Sequence, residues 1–256
     1  MDANTAACAG IVEKGDPDRF LAIMSAPVAL REKLFPLYAM NVEVARAPWV
    51  TEESMIAEMR LQWWRDALAE IVAGGEVRRH EVATPLARVL TPTQAQSLDA
   101  LIEARRWDIY RDPFEDEDAF QSHLSATSGQ LLMVAAEVAG ATDLESVRKV
   151  GEVDGLARWF LAIPALEAAG RIPLVDGRTE TVRTLALDAL KKRRSAKRQL
   201  GRQSKEVCAV LRLTWQSEAI LKRAAQNPDA VAHSDLRNGE FQNKFSLLWK
   251  SFNAKW

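Results

Sequence analysis

Asp108, Asp112 and Asp116 follow one another at four-residue spacing. On a continuous helix that spacing stacks carboxylates on one face, where two acids can hold Mg²⁺ and, through it, a diphosphate. Asp66 and Glu70 repeat the spacing. Both sets equally fit a solvated surface, because Pro113 interrupts the first and Glu115, Glu117 and Asp118 crowd it with charge, as at a helix start. His80, His123 and His233 stand too far apart for metal-ligand spacing and read as surface or interface residues. The sequence contains no GxGxxG, no P-loop, no GxSxG and no HExxH, so the nucleotide-fold, hydrolase-elbow and zinc-protease classes fall away.

The stretch RLQWWRDAL, residues 60–68, holds Trp63 and Trp64 between Arg60 and Arg65. Adjacent helical side chains point about 100° apart, so both tryptophans cannot join one core stripe, and one can line a cavity or a second interface. A wide buried face with salt bridges to neighbouring helices fits as well. YAMNVEVARAPW, residues 38–49, carries one acid, Glu43, and one base, Arg46. KKRRSAKRQLGRQSK, residues 191–205, sets eight basic side chains on what reads as one helix. Such a field suits anionic headgroups or an acidic protein surface, or is a solvated side offset by nearby acids. The C-terminal segment 241–256 aligns Phe241, Phe245, Leu248, Trp249 and Phe252 with lysines among them. It fits an interfacial membrane helix, but a stripe of this kind more often docks on its own core.

These residues need helices to position them. Gly and Pro are few while Ala, Leu, Glu and Arg recur through 256 residues, which predicts an all-α protein in one domain, residues 1–256. Asp16 and Asp18 can cap one helix, Pro27 opens a second that Pro48 closes, and a third starts near Thr51 and stops at Gly74 and Gly75. Thr91 with Pro92 starts another, RDPFEDED breaks it, and a further helix runs from about Glu117 to Gly140. Thr142 and Glu145 form a capping box for a helix reaching Gly170, with Pro164 as a kink. Two more stretches follow, from about Thr179 to Arg223 and from Leu236 onward, giving eight or so helices.

A net charge of −1 gives no reason to expect nucleic acid. Two cysteines, Cys8 and Cys208, fit a reducing compartment and no disulfide framework. No apolar run reaches the roughly 18 residues of a membrane span, and the first sixteen residues carry no signal-peptide pattern. The expectation is a soluble cytoplasmic protein, peripheral at the inner face of a membrane at most.

The order and spacing of several segments resemble the squalene/phytoene synthase family. DPDRFLAIMSAPVALREKLFPLYAMNVEVAR followed by MRLQWWRDAL is similar to the family's P-x-x-x-R…YAF-type helix and the helix after it. EARRWDIYRDPFEDEDAFQSHLSATSGQLL is similar to its M-D-L segment, and GLARWFLAIPALEAAGRIPL to its second aspartate region with the trailing G-R-x-x-L-P. The resemblance implies an isoprenoid synthase fold, a helical bundle around a central cavity. Its active members hold Mg²⁺ and two prenyl diphosphates between two aspartate-rich motifs and couple the chains head to head.

The departures from that pattern carry the functional expectation. Asn41 and Val42 replace a Cys-Arg pair; Ala45, Arg46 and Trp49 stand where the first acids would be, and Ala162 and Leu166 where the second would be. The family's serine-rich segment is replaced around DPDRF. Arg31 survives at a basic position, and Asp108 sits at the M-D-L aspartate. Scaffold without acids resembles a subgroup that includes a mitochondrial assembly factor for respiratory complex I. It implies a pseudoenzyme with no metal or cofactor, binding a protein partner in a membrane complex. Its residual cavity, lined by Glu43, Arg46, Trp64 and Arg158, would take a lipid or isoprenoid. The alternative is a divergent prenyl transferase, using Mg²⁺ or gripping diphosphate through Arg31, Arg60 and Arg65.

Overall fold

A computed structural model of the chain describes residues 2–237, 239–253 and 255–256, without the side chains of 240, 241 and 243. Every regular element among the described residues is helical. α1 (Ala3–Gly15) begins where Asp2 accepts from the Thr5 amide at 2.8 Å. It buries only Thr5, Cys8 and Val12, a face too short in large apolar residues to announce itself in the sequence. Asp16 caps α2 (Pro17–Met24), accepting from the Arg19 amide, with Pro17 in the first turn.

α3 (Val28–Arg46) follows Pro27 and ends in a 3₁₀ turn, Ala47–Trp49, at Pro48. Every residue from Leu34 to Val42 is buried, so α3 is apolar-packed all round and forms the axis of the fold. α4 (Ser54–Ala73) stops at Gly74, whose φ of 67° is the left-handed cap that glycine supplies without a Cβ penalty. The short α5 (Ala83–Ala87) leads to α6 (Pro92–Ala104), opened by a reciprocal Thr91–Gln94 capping box and closed by a 3₁₀ turn, Arg105–Asp108.

α7 (Glu117–Leu124) passes through a π segment, Ser125–Gly129, into α8 (Gln130–Val138). That bulge nests against two glycines of α9 (Leu144–Ala168). A Cβ on Gly151 would stand 2.6 Å from the Ser128 carbonyl, and one on Gly155 2.9 Å from the Ser128 Cβ, so only glycine permits the approach. The predicted Thr142–Glu145 capping box is replaced: Asp143 caps α9 through the Ser146 amide, and Glu145 pairs outward with Arg148 and Lys149. A one-residue shift lets an aspartate, the better cap acceptor, take the position.

The chain continues as α10 (Thr179–Leu200), α11 (Lys205–Leu211), α12 (Ser217–Gln226) and α13 (Glu240–Phe252). The single helix expected for the basic run 191–205 is divided at Gly201. Lys191, Lys192 and Arg193 pair with Asp188, Glu152 and Glu218. Arg194, Arg198, Arg202 and Lys205 are exposed, with no ion pair among the described residues, and exposed Lys197 donates to the Trp256 main-chain oxygen.

Two apolar clusters make the interior. One gathers α1 to α6, α8, α11, the start of α9, the end of α10 and Leu247 of α13; the other gathers α7, the rest of α9, the first part of α10 and α12. α9 belongs to both, with Val147 and Val150 in the first and Val153 to Leu166 in the second. The seam between them therefore crosses α9 near residues 151 to 154.

α13 reverses the expected docking. It packs through Leu247, while Trp256 beyond it is covered by the Arg193 and Lys197 side chains, each 5.0 Å from the indole ring. Phe245, Leu248, Trp249 and Phe252 of the predicted core stripe face outward; the Phe241 side chain lies outside the described residues. Leu247 lies about 100° from Leu248 on the helix, so docking through one turns the other away.

Candidate functional site

The sequence-derived site residues divide among separate places. Glu43 on α3 and Trp64 on α4 line one surface groove of about 490 Å³ with Ile56, Met59, Arg60 and Trp63. His80 forms its far wall: its Nδ1 accepts from the Val82 amide at 3.1 Å, which starts α5 and fixes the ring 4.8 Å from the Trp63 ring. Trp63 and Trp64 meet edge to face, with ring centroids 4.9 Å apart and planes at 86°. Both line the groove, Trp64 from a buried position. Arg46 does not line it; it pairs with Glu43 at 3.6 Å from an exposed position.

At the end of α3, where the resemblance places the first acids, Trp49 instead meets Arg171. The guanidinium lies 5.0 Å from the Trp49 ring and 5.8 Å from the Trp107 ring, and donates to the backbone carbonyls of Trp107 and Asp108. Burial pushes Arg171 below its ordinary pKa. Trp49 and Arg171, together with Tyr110, Arg111 and Asp112, border a cleft of about 760 Å³. Asp108 turns its carboxylate away to Arg105 at 3.2 Å and is itself buried.

Arg158, expected in a cavity wall with Glu43, belongs instead to a buried charge network at the seam. The Asp154 carboxylate accepts from Arg19 and from Arg158, both at 2.9 Å, and from the Ser217 hydroxyl at 2.5 Å. Asp16 accepts from the same two guanidinium groups at 3.1 and 3.3 Å, and Arg19 also stands 5.3 Å over the Tyr38 ring. Burial alone would raise both carboxyl groups, but the Arg158 and Arg19 charges outweigh it and hold Asp16 and Asp154 below the usual carboxylate range. The network thus joins α2, α3, α9 and α12 with two acids and two bases that neutralise one another.

The three-arginine clamp is not formed. Arg31 donates to the Ala26 carbonyl at 2.7 Å, Arg65 is held by Asp99 and Glu103 of α6 at 2.7 Å each, and only Arg60 reaches the groove. They lie on separate parts of the surface because two are already committed to local acceptors. The aspartate series is likewise dispersed: Asp116 caps α7, and no group of three His, Cys, Asp or Glu side chains among the described residues is placed to hold a metal. Glu70 is taken up by Arg78, Asp66 by Gln62.

His123 departs from the surface position expected of it. It is buried among Trp107, Phe114 and Trp159, where burial first and the Arg105 charge second push its pKa down to about 3. Sequence reasoning missed Asp16, Arg19 and Asp154 as one unit. Their local signals are visible, Asp16–Arg19 three apart and Asp154–Arg158 four apart, but a helix surface pair looks the same in sequence.

Comparison with known proteins sets this geometry in context. The sequence profile described as squalene/phytoene synthase matches residues 12–237. A Drosophila melanogaster protein, NADH dehydrogenase (ubiquinone) complex I assembly factor 6 homolog, is 29% identical over 166 residues, 61% of this chain and 50% of that protein. The Homo sapiens complex I assembly factor 6 is 22% identical over 162 residues, 61% of this chain and 48% of its own length. The chain thus spans about half the length of the curated relatives it matches. Its fold is that of a dehydrosqualene synthase crystal structure, with a TM-score of 0.77 at 14% identity, covering 98% of this chain and 95% of the other.

Proposed function

The chain belongs to the squalene/phytoene synthase family, and from that premise we propose that it is a member without catalysis of its own, acting by binding as an assembly factor for a respiratory NADH dehydrogenase, at or beside a membrane. The observation that carries this reading is the charge network on α2, α3, α9 and α12. A diphosphate synthase needs uncompensated acids facing a cavity, so that Mg²⁺ supplies the missing positive charge. Here Asp16 and Asp154 already spend their charge on Arg19 and Arg158. The acid-motif positions carry Ala45, Arg46, Trp49, Ala162 and Leu166, and Trp49 is stacked on Arg171.

Likeness to proteins named for complex I assembly supports the direction of this reading. Binding would use surfaces rather than a buried tunnel: the Trp63–Trp64 groove is open, and Ala162 is packed against the second apolar cluster. The groove, with Glu43 and Arg60 at its edge and aromatic rings at its floor, suits an apolar segment with a polar end, such as a lipid chain or a partner helix. Incubation of the purified chain with farnesyl or geranylgeranyl diphosphate and Mg²⁺ tests the reading. Release of diphosphate at the rate of the boiled control is expected, and formation of a coupled C30 or C40 product overturns it.

A further inference from the structure

α13 shows water a face that its composition does not suit. Leu248 is 68% exposed, Trp249 59% and Phe252 90%, one helical turn of large apolar side chains. The helix is nonetheless fixed in place on its other side, by buried Leu247 and by Ser251, which donates to the Ser25 carbonyl at 3.5 Å. Arg212 donates to the Lys255 carbonyl at 3.2 Å just beyond it. Ser25 sits between Met24 and Val28, both exposed, and they extend the apolar surface at this end of the molecule.

Beside it runs the positive charge. Trp256 is held by Arg193 and Lys197 of α10, and Lys197 is flanked on the same helix by Arg194 and Arg198, with Arg202 and Lys205 beyond Gly201. Lys197 also donates to the Trp256 main-chain oxygen at 3.4 Å; Arg194, Arg198, Arg202 and Lys205 have no ion pair among the described residues, and residues 191 to 205 include no acid. Apolar rings on a convex, docked helix with a rim of unneutralised cations form the pattern of a surface that enters lipid headgroups. A protein interface also has an apolar core and a polar rim, so what favours lipid here is that the rim carries one sign of charge, with no acid from residue 191 to 205.

We propose that this end of the molecule is a membrane-docking surface for an anionic bilayer, with Leu248, Trp249 and Phe252 entering the headgroup region and Arg194, Arg198 and Arg202 facing lipid phosphates. The inference rests on the reading of the chain as a binding protein at a membrane, but it is tested without any assembly partner, so either can fail alone. No helix among the described residues is long and apolar enough to cross a membrane, so the contact is peripheral.

The test is flotation of the whole chain with phosphatidylcholine vesicles, with and without 30% phosphatidylglycerol, a composition set on the order of a cytoplasmic leaflet's anionic content. The expected result is flotation with the anionic vesicles and little with the neutral ones. The Leu248→Ser/Trp249→Ser/Phe252→Ser variant should lose roughly tenfold or more in partition, and Arg194→Gln/Arg198→Gln/Arg202→Gln about as much at low salt. All six side chains are exposed, so both variants should keep the wild-type far-ultraviolet spectrum and melting point. Absence of flotation with anionic vesicles overturns the proposal, as does equal flotation of the apolar variant. A dimer in sedimentation that the apolar variant abolishes, without vesicle binding, assigns the face to a second copy and also overturns it.

Discussion

Replacing Asp154 with Asn removes one negative charge from the centre of the seam while keeping side-chain volume. The carboxylate accepts from Arg19, Arg158 and Ser217; the amide can serve only part of that set and neutralises neither guanidinium. Asp16 is left as the single acid for buried Arg19 and half-buried Arg158. Breaking a buried pair in this way costs about 3–5 kcal/mol, since the orphaned charge keeps its desolvation penalty. At roughly 2–4 °C per kcal/mol for a chain of this size, the melting temperature should fall by about 6–20 °C. Thermal and urea melts followed by circular dichroism at pH 7 read the effect, with Lys191→Ala, an exposed pair with Asp188, changing stability by less than about 0.5 kcal/mol as control. Asp154→Asn/Arg158→Met restores charge balance around Arg19 and Asp16 and should be more stable than Asp154→Asn alone. The pH limb follows from the same group. Its folded pKa lies below the ordinary value of about 3.9, so its contribution is complete above about pH 4 and fades as pH falls through the folded value. Asp154→Asn should therefore flatten the acid side of the stability curve. A loss below about 1 kcal/mol, or a double variant that is simply additive, refutes the argument.

His123 gives a second pH dependence at higher pH. The folded ring stays neutral down to about 3, while the unfolded ring takes up a proton below about 6.5; stability should therefore fall as pH drops, by up to about 1.4 kcal/mol per pH unit between those values. His123→Phe fills the same aromatic cluster without a proton site, and urea melts from pH 7 to 4.5 should show a shallower slope for it. Gly151→Ala should cost about 1–3 kcal/mol, because the added methyl meets the Ser128 carbonyl and the Gly129 Cα, both backbone; urea melts on the purified variant check the size.

Helix ends were legible wherever one local rule decided them. Asp16, Thr91 with Pro92, and Gly74 each stop or start a helix by capping chemistry that needs no distant partner. α1 was not legible, because Thr5, Cys8 and Val12 make a burial face of small residues that carries no periodic apolar signal. The π segment at Ser125–Gly129 was not legible either, since the helix it packs against, at Gly151 and Gly155, lies elsewhere in the chain. The all-α class came from composition, and the family from segment order, which survives substitution better than motifs do. The site did not. Arg158 stood out by resemblance, but one of its two acid partners, Asp16, lies more than a hundred residues earlier in the chain, and so does Arg19, with which it shares Asp154. α13 shows the same limit: periodicity found an apolar stripe correctly and could not say which side of it faces protein, because Leu247 beside the stripe is what packs.

The central claim is that this chain assembles rather than synthesises. Cells lacking it, compared with the same cells carrying it again, should show a reduced amount of intact membrane-bound NADH dehydrogenase on native gels, restored by the wild-type chain. Their squalene and phytoene-derived lipids should be unchanged. Normal assembly together with loss of a C30 or C40 isoprenoid would contradict the account.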